Sequence, residues 1–131
     1  MSDLRKSIEG LAEALRELHR ELVMIARVEF EATRGAVPAG LFVQALVEDP
    51  SLQWLRPLSV LIIELETLAE QEEPIERADA ERIAKEVELH VTPSASSSSA
   101  LARRYEALLQ ESPEVVVAHG RVRTALSALR R

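Results

Sequence analysis

Residues 52–66, LQWLRPLSVLIIELE, set an aromatic ring, a guanidinium and a carboxylate within the strongest apolar run of the chain. Pro57 cannot donate a backbone hydrogen bond, and its ring crowds the preceding turn. Either one helix kinks here, or a short helix over 50–55 ends and a second begins at Pro57. Both arrangements bend the chain at Trp54 and Arg56. Backbone N–H groups freed at such a bend, together with the Arg56 guanidinium, make an anion site. Glu64 follows at the spacing Pro57, Leu61, Glu64, Leu68, on a largely apolar face where a carboxylate requires a cation. Arg56 and Glu64 are therefore the candidate polar centre for a small molecule or anion. Trp54 stands beside them, and His119 or His90 is the candidate proton carrier. The simpler alternative has Arg56 paired with a carboxylate of another helix, holding the bend.

Other chemistry has less support. Di-iron bundles place Glu-x-x-His pairs on two helices, but Arg16, Val87 and Val116 precede His19, His90 and His119 by three residues. Only Glu86 and His90 stand at i and i+4, a spacing that ordinary helix-stabilising pairs also use, so this is a weak metal pair. His90 and His119 continue apolar stripes and read as hydrogen-bonded residues at the core edge. His19 borders a leucine seam, where it can touch a neighbouring helix. The serines cluster over 95–99 without a nearby histidine, and no glycine-rich phosphate loop is present. With no cysteine in the chain, thiol catalysis, thiolate metal sites and disulfides are excluded. No cofactor is expected.

The elements that would carry these residues are helical. Apolar residues make up 47% of the 131 residues and aromatics 3%, so leucine, alanine and valine do the packing, which favours helix on helix. Leu4, Ile8, Leu11, Leu15, Leu18, Leu22 and Ile25 form a heptad seam on a first helix that Gly35 closes. A helix of about 30 residues is ~45 Å long, against a radius of gyration of ~14 Å for a domain this size. The seam, and Leu4, Leu11, Leu18 and Ile25 in particular, is thus the candidate interface for a second copy of the chain. Beyond Val23 the apolar set widens to Met24, Val28 and Phe30, which predicts deeper burial.

A short helix over 41–49 should turn Leu41, Phe42, Ala45 and Leu46 to the core. A helix reaching about Gln71 follows the start signal Asp49–Pro50, and its extra apolar residues Val60 and Ile63 suggest a central position. Asp79 is the expected cap of the next helix, with stripe Ala80, Ile83 and Val87. Residues 92–99 are a serine-rich flexible loop. A helix over 101–111 precedes Ser112–Pro113, a second cap-and-proline start, and a last helix with stripe Val115, Ala118, Val122, Ala125 and Leu129. The expectation is one all-α domain over 1–131: an antiparallel bundle of four main helices, one or two short ones, and a long N-terminal helix.

The net charge of −6, with bases interleaved among acids, argues against nucleic-acid binding. The longest apolar run falls far short of the ~20 residues that span a bilayer, and MSDLRKSIEG has no apolar signal core, so a cytoplasmic location and no membrane partner are expected. LHREL, WLRPLS before an apolar helix, HVTP before the loop, and RYEALLQ followed by SPEVVVAHGRVR resemble a family of small bacterial proteins of unassigned function. The resemblance implies a helical fold and a cytoplasmic bacterial origin, and brings no activity or ligand with it. The leading expectation is an interaction or scaffold protein that forms a homodimer. The rival is a binding or catalytic bundle centred on Arg56 and Glu64. A third is a regulatory partner of a larger protein, recognisable by an uncovered apolar face.

Overall fold

The computed structural model describes residues 3–92 and 100–131. They form six α-helices: α1 (Asp3–Arg34), α2 (Ala39–Glu48), α3 (Arg56–Glu70), α4 (Arg77–Val91), α5 (Ala100–Glu111) and α6 (Pro113–Leu129). A 3₁₀ helix over Pro50–Leu55 leads into α3, and no strand occurs among the described residues. The proposed loop falls, beyond Thr92, outside those residues.

The heptad seam organises the core. Ile8, Leu11, Leu15, Leu18 and Leu22 are fully buried, because α1 lies between α3 and α6. Arg5 at the start of α1 donates to the carbonyls of Leu68 and Ala69 at the end of α3, while His19 meets Ser59 near the beginning of α3. These two helices therefore run in opposite directions. The seam faces the chain's own helices, so Leu11 and Leu18 are not available to a second copy, and Leu4 and Ile25 pack partly buried against the same core. The correction has a simple cause: a 3-4 repeat marks a helix with apolar neighbours but does not say whether they belong to the same chain.

The chain's start and stop signals act as their chemistry requires. Asp49 caps the 3₁₀ helix, its Oδ1 accepting from the Ser51 N–H at 2.8 Å. Ser112 caps α6, its Oγ accepting from the Val115 N–H at 3.2 Å. Gly35 ends α1 with φ +81°, a left-handed conformation that glycine adopts without steric penalty. Pro57 lies in the first turn of α3, where its missing N–H is harmless. The helix break is thus the second of the two arrangements its position allowed. Asp79 is not a cap: α4 begins at Arg77, and Asp79 sits in its first turn.

Three apolar expectations reverse. Met24 and Val28 are 57% and 68% exposed, although Phe30 is buried. Leu41 is exposed, and Phe42 is the buried residue of α2, packed edge-on against Phe30. Val60 and Ile63 are exposed on α3, although that helix packs against both α1 and α4. Each of these side chains is the right type for a core but lies on a part of its helix that no other described element covers.

Candidate functional site

Arg56 opens α3 at the junction with the 3₁₀ helix, and its side chain projects to the surface. It makes no ion pair or hydrogen bond among the described residues. Glu64 lies eight residues further along the same helix, about 12 Å along the axis, and pairs with Arg82 of α4 at 3.5 Å. Arg56 and Glu64 therefore do not form one polar centre. A spacing of eight keeps two residues near one helix face but separates them by two turns.

The structure instead brings Arg56 to the weak metal pair. Arg56, Gln53, Pro57, Val60 and Leu61 line a depression of about 340 Å³ whose other side is Glu86 and His90 of α4. Glu86 is 3.9 Å from Arg82, so one guanidinium serves both Glu86 and Glu64. Burial holds the His90 imidazole below the ordinary histidine pKa, with the Glu86 carboxylate opposing the shift. Among the described residues, no three acidic or imidazole side chains assemble into a metal site.

Trp54 and His119 stand elsewhere. Trp54 is half-buried, with the Arg104 guanidinium 5.6 Å from its ring centre. Arg104 also pairs with Glu29 of α1, so the aromatic ring takes part in fastening α5 to α1. His119 Nδ1 lies 2.6 Å from the phenol oxygen of the fully buried Tyr105. Burial pushes the phenol pKa well up and the imidazole pKa down, with Arg123 adding to the latter. The phenol can donate to Nδ1 when the neutral imidazole carries its proton on Nε2.

A further pair had only half a signal in the sequence. His19 Nε2 lies 2.9 Å from Ser59 Oγ between α1 and α3. The seam marked His19 as a residue that touches a neighbour, but Ser59 was hidden inside an apolar run. Neither residue lines the depression between α3 and α4. The pair joins two helices.

A further surface feature lies between α1 and α6. Gly10, Glu13, Ala14 and Glu17 of α1 face Val117, Gly120, Thr124 and Ala128 of α6 across a depression of about 600 Å³. A second depression of about 420 Å³ shares Glu17, Val117 and Arg121 and extends the groove to Arg20, Glu21 and Pro113. Glu17 and Arg121 bridge the two helices at 2.6 Å. A Cβ placed on Gly10 or Gly120 would meet no atom within 4 Å, so neither glycine is needed for packing inside the chain. Glu13 and Arg20, seven residues apart on exposed α1, have no ion-pair partner among the described residues.

No described helix is long and apolar enough to cross a membrane. No family model matches the chain, and no curated protein or solved structure matches it either.

Proposed function

We propose that the chain is a cytoplasmic interaction protein that forms a homodimer, built as an antiparallel bundle of α1, α3, α4 and α6 with α2 and α5 as the shorter helices. The likeness of WLRPLS and SPEVVVAHGRVR to small helical bacterial proteins accords with this architecture. The partner surface is the α1/α6 groove, on the side of α1 opposite the leucine seam.

The observation that carries the reading is the charge pattern on that groove. Glu13 and Arg20 lack ion-pair partners among the described residues and lie two turns apart on one side of α1. When two α1 helices cross in opposite directions about a point midway between these residues, Glu13 of each meets Arg20 of the other. The same two-fold produces this contact twice. Gly10 and Gly120 provide room for close helix approach, and exposed Met24 and Val28 extend the surface along α1. Self-pairing of one patch requires such internal complementarity, because like charges placed opposite one another would oppose association.

Charge reversal tests the arrangement. The wild-type chain should have the mass of a dimer in native mass spectrometry and in light scattering. Glu13→Arg and Arg20→Glu should each weaken the dimer by about tenfold or more. The double variant restores opposite charges and should recover it. A wild-type chain that stays monomeric at high micromolar concentration overturns the reading, as does a double variant no better than either single one.

A further inference from the structure

We propose that the depression between the start of α3 and the end of α4 binds a small aliphatic carboxylate, with Arg56 as the anchor of its carboxylate group. This inference is independent of the dimer, since the residues involved belong to the α3/α4 side and not to the α1/α6 groove.

Three features identify the ligand class. The first is charge. Arg56 has no partner among the described residues, whereas the neighbouring Arg82 is already shared by Glu64 and Glu86. A guanidinium presents paired N–H donors that match the two oxygens of a carboxylate. The second is the wall. Pro57, Val60 and Leu61 provide an apolar surface next to Arg56, and Val60 is 45% exposed although Leu58 and Leu61 of the same turn are buried. A ligand body of four to six carbons laid on that wall would cover surface that water now contacts. The third is size and net charge. About 340 Å³ lies at the lower end of small-molecule sites. Glu86 on the opposite bank disfavours a dianion such as phosphate, and a single carboxylate is the anion that one unpaired guanidinium balances. His90 closes the far wall, while Gln53 is held in place by donating its amide to the carbonyls of Leu46, Val47 and Asp49.

The probe is 4-methylpentanoate, titrated into the full-length nitrogen-15-labelled chain while backbone amide signals are followed. Saturable shifts are expected at Gln53, Val60, Leu61, Glu86 and His90. Acetate, which has the charge without the body, should bind at least tenfold more weakly, and 3-methylbutylamine should leave these signals unmoved. Arg56→Met should weaken 4-methylpentanoate binding by about tenfold or more, and Arg56→Lys should recover part of it. Arg56 is exposed at a helix start, so both variants should retain the wild-type spectrum elsewhere. Equal binding of the amine, or undiminished binding by Arg56→Met, overturns the proposal. Absence of shifts at millimolar 4-methylpentanoate overturns it as well. Leucine is the informative comparison: binding as tight as 4-methylpentanoate's places its ammonium near Glu86 and retains Arg56 as anchor, whereas leucine binding that survives Arg56→Met removes Arg56 from the site.

Discussion

The histidines show how burial sets behaviour at the level of a single residue. His19, His90 and His119 all have pKa values below the ordinary histidine value of 6.5, with desolvation as the leading cause. The unfolded chain therefore takes up protons at a higher pH than the folded one. The histidines' contribution to stability is complete above 6.5 and is lost as the pH falls through their folded-state values. Glu31, whose carboxylate accepts from the Val37 N–H, and Asp49, held by Ser51, have lowered carboxylate pKa values. They act in the same direction but at still lower pH. Urea unfolding midpoints should consequently fall between pH 7 and pH 5. His19→Gln should make that decline shallower, because burial alone lowers His19. A stability that stays flat over this range contradicts the assignment. Tyr105→Phe tests the neighbouring pair: removing the phenol oxygen from His119 Nδ1 should cost about 1 kcal/mol and lower the thermal midpoint at pH 7.

At the level of elements, the same amino acid has opposite consequences in different places. Gly35 has φ +81°, so Gly35→Ala forces an L-residue into the left-handed region and should destabilise the fold by about 1 kcal/mol. Gly10 lies inside α1 with open space at its Cβ position, so at concentrations where the chain is monomeric Gly10→Ala should stabilise it by about 0.5–1 kcal/mol through helix propensity. Denaturant curves of the two variants should lie on either side of wild type, and a shift in one common direction would falsify the argument. Ser112→Ala removes the cap of α6 and should cost about 1 kcal/mol, with the loss visible in amide exchange of the first turn. Pro57 belongs to this scale too. Its identity alone required a break, but whether the break was a kink or a new helix depended on the packing of Leu52 and Leu55, both buried ahead of it.

For the molecule as a whole, α1 is the hub. Replacing Leu11 or Leu18 by glutamate places an unpaired carboxylate at a fully buried position, so these variants should lose the cooperative unfolding transition. That outcome differs from the dissociation into folded monomers expected had the seam joined two chains. Leu18→Ala should retain the fold and cost about 2–5 kcal/mol, the range for a buried leucine cavity. Circular dichroism thermal melts separate these outcomes. The interhelix pairs Arg16–Glu66, Glu17–Arg121 and Arg130–Glu88 are largely exposed, and each should contribute little alone. The buried leucines hold the helices together.

The sequence by itself determined the all-helical class, most helix boundaries and the core face of α1. Those properties follow from local chemistry: side-chain periodicity, proline and glycine at helix ends, and capping oxygens act within a few residues of one another. It also singled out Arg56, Glu86 and His90, though as members of two unrelated candidates. Only the tertiary structure decided that these three share one depression, that Glu64 belongs to Arg82, that His119 belongs to Tyr105, and that His19 belongs to Ser59. It likewise decided that the leucine seam is internal while Met24, Val28 and Leu41 are exposed. Periodicity states which side of a helix is apolar, but the element that covers that side comes from elsewhere in the sequence, with partners as far as 104 positions apart, and such pairings leave no local trace in a single chain.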